Sequence, residues 1–179
     1  PHLYLFDVCR LSHIAVARFA LANPDIKVII KAKWRGPWEE NVLRFLESDG
    51  ISIGDIDNLH FNTTADAHSL IKRSRVVIGY GSTTLLESAI FGRPVIVPNF
   101  GELVEKKFQD NILFPDISDC FDQASSPEDL TDKIGYWWDN PEISDSVMKH
   151  RRDAFERYVS PLDRSATDNY LELMRKYSN

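Results

Sequence analysis

Short runs of apolar, β-branched residues alternate with segments of helical periodicity over the first two thirds of the chain. The runs predict strands at 2–6, 26–32, 59–61, 76–79, 95–97 and 120–122. The clearest intervening helices are predicted at 11–21, 38–48 and 66–73. Consecutive Val28, Ile29 and Ile30 are typical of a strand that is covered on both faces. The pattern predicts an α/β fold: a Rossmann-like parallel sheet of about six strands with helices on both faces.

The last third of the chain predicts helices alone. Ser126 supplies a hydroxyl cap and Pro127 suits the first turn of the helix that follows. Pro141 is expected to begin a second helix towards Tyr158, and a last helix follows the break at Pro161. Residues 127–179 are therefore expected to form a helical C-terminal tail.

Composition is that of one globular domain, with 179 residues, 43% of them hydrophobic, and we interpret 1–179 as a single domain. The net charge of −6 argues against a nucleic-acid partner, whose binding surface is expected to be basic. No apolar run approaches the roughly 20 residues of a membrane-spanning helix. The chain begins with Pro1 rather than Met, so the missing secretory signal carries no weight. Cys9 and Cys120 lack metal-binding spacing, and both are interpreted as ordinary thiols of a reducing compartment.

Residues 76–98 carry the most informative pattern in the chain. A strand ends in the turn Gly79–Thr83, and a short helix then leads through Gly92 to a second strand. The free N–H groups at the start of that helix, with the hydroxyls of Ser82 and Thr83, suit a phosphate or diphosphate. Glu87 lies one helical turn later, where its carboxylate can accept hydrogen bonds from the sugar of a nucleotide. A βαβ building block without a ligand explains the same spacing equally well.

Two other predicted loops lie where ligands of such sheets bind. Lys31, Lys33 and Arg35 place three cations within five residues, where they can attract an anionic ligand. A solvated basic loop beside acidic neighbours is the alternative. Asn99 lies in the loop after the fifth predicted strand, whose backbone groups can read the edge of a base, although a plain turn is the simpler interpretation.

Catalytic residues are not assigned, because no catalytic constellation is visible in the sequence. The turn lacks the lysine of a P-loop, which argues against an ATPase or kinase. It also lacks the third glycine of a dinucleotide-binding fingerprint, since Thr84 or Leu85 stands at that position.

Residues 75–96 resemble the carboxy-terminal, nucleotide-sugar-binding domain of GT-B glycosyltransferases of the bacterial surface-polysaccharide type and their relatives. The shared pattern is a strand, a Gly-Ser/Thr turn, a glutamate one turn into the helix, then Gly-x-Pro and another strand. The resemblance implies donor contacts at Gly81, Ser82, Thr83 and Thr84 for the phosphates and at Glu87 for the ribose. Cations such as Lys31 or Arg35 would then stabilise the departing phosphate.

The resemblance implies the donor-binding domain of a glycosyltransferase that acts in capsule or lipopolysaccharide biosynthesis. GT-B enzymes need two Rossmann-like domains, so this chain is expected to be one half of a two-domain enzyme. A nucleotide sugar is the implied donor, and a missing domain or a partner would bind the glycan acceptor. The resemblance implies neither a cofactor nor a metal. It implies a cytoplasmic location at or near the inner membrane face and leaves peripheral association with that membrane open.

Three alternatives stay open. The related CDP-glycerol glycerophosphotransferases carry Lys-x-His-Pro after the second strand, and this chain matches Lys31 but neither the histidine nor the proline. The UDP-sugar 2-epimerases share the Gly-Ser turn and also need two domains. The third alternative is a non-catalytic α/β scaffold module.

Overall fold

Helices alternate with short parallel strands through most of the chain and then continue as helices alone. The structure is a computed structural model that describes residues 6–31, 37–105, 108, 115–163 and 165–177. The elements are α1 (Phe6–Ala22), β1 (Val28–Lys31), α2 (Pro37–Ser48), β2 (Leu59–Asn62), α3 (Ala67–Arg73), β3 (Val77–Ile78), α4 (Thr84–Ile90), β4 (Val95–Pro98), β5 (Asp122–Ala124), α5 (Pro127–Asp139), α6 (Asp145–Tyr158) and α7 (Ala166–Tyr177). Short 3₁₀ segments cover Ile53–Asp55, Gly101–Val104 and Pro115–Cys120.

The described strands form two parallel sheets rather than one sheet of about six strands. β1 pairs with β2, and Val28 lies opposite Leu59. β3, β4 and β5 pair in that order, and Ile96 of β4 lies opposite Asp122 of β5. The strand predicted at 2–6 lies outside the described residues except for Phe6, which begins α1. The α/β class and the parallel pairing are confirmed, and the single large sheet is not.

The three-stranded sheet is covered by helices on both faces. Ile96 points towards α1 and α5, where it packs in one buried cluster with Phe19 and Leu130. Val95 points the other way, into a cluster with Leu85 and other side chains of α4. Successive residues of a strand face opposite sides, so β4 supplies apolar contacts to both layers. For this sheet the prediction of helices on both faces is confirmed.

The two-stranded sheet is covered on one face only. Ile30 and Leu59 pack with Val42 and other side chains of α2 and α1. On the opposite face Ile29 is 38% exposed, and His60 is exposed as well. The apolar run at 28–30 therefore does not mark a strand with two buried faces, because among the described residues no helix covers Ile29.

Helix α1 connects the two cores. Val8, Ala15 and Phe19 belong to the cluster on the three-stranded sheet, whereas Ile14 and Ala17 belong to the cluster on the two-stranded sheet. At about 100° per residue these two sets lie on opposite faces of the helix. A helix that is apolar on two faces is expected to be buried between layers.

The beginning of α1 differs from the sequence prediction, in which this helix starts at residue 11. The N–H groups of Asp7 and Val8 donate to the carboxylate of Glu102, and the bond from Val8 is 2.8 Å long. The cap is therefore supplied by a residue 94 positions away from Val8. A helix whose first N–H groups are capped from a distant loop shows no local capping signal in the sequence.

The C-terminal helices follow the prediction closely, with one shift. Ser126 caps α5 by accepting a hydrogen bond of 3.1 Å from the N–H of Asp129, as expected. α6 begins at Asp145 rather than at Pro141, because the Ser144 hydroxyl accepts from Val147 and serves as the cap. Among the described helices, none combines the length and the hydrophobicity that crossing a bilayer requires.

The side-chain amide of Asn58 connects the end of α1 to the entry of β1. Its Nδ2 lies 3.0, 2.9 and 2.7 Å from the carbonyl oxygens of Ala20, Asn23 and Ile26. The backbone carbonyl of Asn58 in turn accepts a hydrogen bond of 2.8 Å from the N–H of Val28. One partly buried residue therefore makes polar contacts along the connection between α1 and β1, in addition to the backbone hydrogen bonds within it.

We predict that Asn58→Ala lowers the free energy of unfolding by about 1–3 kcal/mol, because it removes the amide that donates to these three partly buried or helix-end carbonyls. Urea denaturation monitored by circular dichroism measures the change. Asn140→Ala is the matched control, since its amide donates to one exposed carbonyl at the end of α5. Equal effects of the two substitutions would contradict the role given to Asn58.

Candidate functional site

The turn between β3 and α4 presents backbone groups at the carboxyl edge of the three-stranded sheet. Gly81 has a φ of +62°, and the N–H of Thr84 donates to Ser82 Oγ over 3.3 Å. Within the described part of the chain, the N–H groups of Ser82 and Thr83 have no hydrogen-bond partner, and the Thr83 hydroxyl makes no capping bond. These donors are available to a ligand.

The helix that follows the turn is short, which changes the basis for binding an anion. α4 contains seven residues, so few peptide dipoles add up at its N-terminus. A phosphate at Ser82 and Thr83 would therefore depend on individual N–H and hydroxyl donors more than on the macrodipole that the sequence analysis invoked.

Tyr80 lies in this turn and packs against the buried cluster that includes Val8 and Ala15 of α1. Burial raises the pKa of its hydroxyl and of the Cys9 thiol. Cys9 Sγ also lies 3.6 Å from Nδ1 of His13, on the same face of α1 one turn later. A buried thiol with a raised pKa is protonated at neutral pH and is not a nucleophile. Cys9 is therefore a buried packing residue of α1 rather than a candidate nucleophile.

Glu87 faces α3 and makes a polar contact with a histidine that the sequence analysis missed. Its Oε2 lies 3.0 Å from Nε2 of His68, in the first turn of α3. Asp66 caps that turn by accepting a hydrogen bond from the N–H of Ser69. Glu87 Oε1 makes no hydrogen bond with any described residue, and the Glu87 side chain is 24% exposed. Glu87 can thus contact His68 through Oε2 and still accept a hydrogen bond from a ligand hydroxyl through Oε1.

No sequence signal identifies His68 as a site residue. It becomes a candidate only because α3 and α4 pack side by side and bring the two side chains together. The capping aspartate two residues earlier predicts the helix, but it does not predict what the first turn of the helix faces.

An open cleft of about 370 Å³ extends from the Glu87–His68 pair along α4. Its lining consists of His68, Lys72, Glu87, Ile90, Phe91 and Phe155. Lys72 Nζ lies 5.6 Å from the centroid of the Phe91 ring. Small-molecule sites typically combine apolar walls with a few polar groups in volumes of about 300–1,000 Å³. The cleft falls within this range and has one carboxylate, one imidazole and one ammonium group.

The remaining predicted residues lie apart from this cleft. Lys31 ends β1 in the two-stranded sheet, and its Nζ is 3.5 Å from the carbonyl oxygen of Thr63. Asn99 follows β4, and its amide donates to Gln123 Oε1 over 2.8 Å. Lys33 and Arg35 lie outside the described residues. Glu87 lies in the cleft, whereas the turn 81–84, one helical turn earlier, is not among the residues that line it. Lys31 and Asn99 occupy other positions, at the ends of β1 and β4.

No protein-family model matches the sequence, and no curated protein matches it either. Among solved structures, the fold is similar to that of a protein from Listeria monocytogenes described as a UDP-N-acetylglucosamine 2-epimerase, with a TM-score of 0.54 and 16% sequence identity. The similarity covers 99% of this chain and 43% of that protein, so this chain spans less than half of its length. At this identity the comparison shows a shared Rossmann-like fold.

We predict that Gly81→Ala destabilises the protein by about 1 kcal/mol, because φ of +62° is unfavourable for any residue with a Cβ. Space is not the cause, since no atom lies within 4 Å of the added Cβ. Gly135→Ala in α5 is the matched control: its Cβ also meets open space, and alanine favours the helix by about 0.5–1 kcal/mol. Thermal denaturation of both variants is the measurement, and stabilisation by both would refute the conformational role of Gly81.

Proposed function

We propose that this chain binds the nucleoside diphosphate part of an activated sugar and forms one half of a two-domain enzyme. The observation that carries the proposal is the juxtaposition of Glu87 with an open turn. One turn of α4 separates a carboxylate that faces a cleft from unpaired N–H groups at Ser82 and Thr83. This order of acceptor and donors matches the order of ribose hydroxyls and phosphates in a nucleotide.

Each polar group then has a specific role in the proposed site. The N–H groups of Ser82 and Thr83, with the hydroxyls of Ser82, Thr83 and Thr84, donate to phosphate oxygens. Glu87 Oε1 accepts from a ribose hydroxyl, while the imidazole of His68 holds Oε2. Gly81 has no side chain, so a phosphate can approach the backbone of the turn closely.

The charge balance of the proposed site requires cations, because a diphosphate brings about two or more negative charges to a protein of net charge −6. Lys72 already lines the cleft. Lys31, Lys33 and Arg35, which lie close together in the sequence, stay candidates for the same purpose. Guanidinium and ammonium groups bind phosphate oxygens through charge-assisted hydrogen bonds.

Two reactions fit such a domain. In glycosyl transfer, the N–H donors and hydroxyls stabilise the negative charge that develops on the departing nucleoside diphosphate. The acceptor glycan would be bound by a second domain or a partner chain, in capsule or lipopolysaccharide synthesis at the cytoplasmic side of the membrane. Neither a metal nor a cofactor is required by this scheme.

In epimerisation, the same contacts hold the nucleotide while an acid and a base act on the sugar carbon. The similarity of fold to the Listeria protein, described as a UDP-N-acetylglucosamine 2-epimerase, favours this second reaction. The acid and base would belong to the other half of the enzyme, so nucleotide binding is the part of the reaction that this chain can perform.

Nucleotide binding is tested by thermal shift and calorimetric titration of the chain with CMP, CDP, UDP, GDP and ADP. Stabilisation by a ligand grows as RT ln(1 + [L]/Kd), so saturation at about 100 Kd raises the free energy of unfolding by about 2.7 kcal/mol. We expect one diphosphate to stabilise the protein, and Glu87→Ala and Ser82→Ala to reduce that stabilisation by at least half. Glu47→Ala, on the exposed side of α2, is the matched carboxylate control and should leave it unchanged.

If no nucleotide at millimolar concentration raises the melting temperature, the proposal is wrong for this chain. A shift that survives in Glu87→Ala and Ser82→Ala would locate the nucleotide elsewhere. Product analysis with the complete two-domain protein separates the two reactions, because a transferase releases the free nucleoside diphosphate and an epimerase returns a nucleotide sugar.

A further inference from the structure

Three side chains that commonly bind metals meet between the 3₁₀ segment Pro115–Cys120 and α6. Asp119 and Cys120 end the 3₁₀ segment, and His150 lies on α6. One ligand atom from each residue lies within 4.8 Å of the other two, and His150 Nε2 is 3.2 Å from Asp119 Oδ1. Cys120 is buried, whereas the other two side chains are exposed. The thiol therefore forms the floor of a small site that opens to solvent.

Packing fixes the position of the buried ligand. Cys120 belongs to a buried cluster with Leu86 and Ala154. Arg151, the neighbour of His150, donates from Nε to the carbonyl oxygen of Cys120 over 2.9 Å. α6 thus holds the backbone of Cys120 with one residue and presents the imidazole with the adjacent one.

We propose that Asp119, Cys120 and His150 bind a divalent transition-metal cation of the zinc type, with water as the fourth ligand. Thiolate, imidazole and carboxylate are the three protein ligands that zinc accepts, and a mixed set of this kind is unusual for calcium or magnesium. Three atoms no more than 4.8 Å apart surround a centre within about 2.8 Å of each, and side-chain rotation would shorten this to the roughly 2.0–2.3 Å of zinc bonds.

The charges of the three ligands can balance the charge of a divalent cation. Binding replaces the proton of the Cys120 thiol by the metal ion and releases that proton to solvent. The thiolate and the Asp119 carboxylate then neutralise a dication, with His150 as a neutral ligand. Arg151 is a neighbouring cation, so a site that lacked either anion would hold a dication poorly.

The consequence of binding would be structural. The ion would join the segment that precedes β5 to α6, in addition to the hydrogen bonds that already connect them. The ligands come from positions 119, 120 and 150, a spacing that matches no short metal-binding motif. This explains why the sequence analysis interpreted Cys120 as an ordinary thiol and expected no metal. The site uses none of the residues proposed for the nucleotide, so either proposal can fail without the other.

Titration of the reduced, metal-free chain with Co²⁺ and with Zn²⁺ tests the proposal. Cobalt bound to a thiolate gives a near-ultraviolet charge-transfer band, and calorimetry gives the zinc affinity. We expect one ion per chain, a rise in Tm with Zn²⁺, and loss of the band in Cys120→Ser. Cys9→Ser is the matched control for the other buried cysteine and should retain the band.

Substitution of the two exposed ligands tests the site without the folding defects that a change at buried Cys120 can cause. His150→Gln and Asp119→Asn should fold normally and should weaken zinc binding by at least about tenfold, which is the loss found when even outer partners of a metal site are changed. His60→Gln, an exposed histidine on β2, should bind as the unaltered chain does. A missing thiolate band, a band that depends on Cys9, or zinc affinity unchanged in His150→Gln would each overturn the proposal.

Discussion

The burial of α1 on two opposite faces is the constraint on which the described fold depends. The two parallel sheets share no hydrogen-bonded strand among the described residues, so their connection relies on side chains. Val8 and Phe19 contact the core of one sheet, while Ile14 and Ala17 contact the core of the other. Polar substitutions on either face of this helix would therefore weaken the attachment of one sheet to the other as well as the local packing.

The sequence allowed much of the secondary structure to be predicted because its signals are local. Ser126 followed by Pro127 identified the start of α5, and the apolar run at 95–97 identified β4. The predictions that failed concern features that depend on residues distant in the sequence. The start of α1 is determined by Glu102, and the exposed face of β1 is determined by the absence of a covering helix among the described residues. Neither can be inferred from hydrophobic periodicity, which describes one element at a time.

The same distinction applies to the candidate site. A glutamate one turn after Gly81-Ser82 is a pattern along the chain, and the helix it requires is present as α4. The histidine that pairs with Glu87 comes from another helix, and the three side chains proposed to bind a metal ion come from two segments about thirty positions apart. Both depend on side chains that meet only after the layers have packed. Sequence reasoning therefore identified Glu87 but not His68, and it assigned a metal-binding role to none of Asp119, Cys120 and His150.

The contact between Glu102 and the beginning of α1 has a consequence for the order in which the chain folds. The carboxylate that caps the first turn of this helix is synthesised about ninety residues after the turn itself. Closing a loop of that length carries an entropic cost that is recovered only when the segment after β4 docks. A nascent chain that ends before Glu102 would have the whole of α1 without its cap, and the helix would fray at that end. Helix α1 thus precedes the other described helices in the sequence but is completed only after the segment that follows β4 has docked, which favours cooperative, non-local folding.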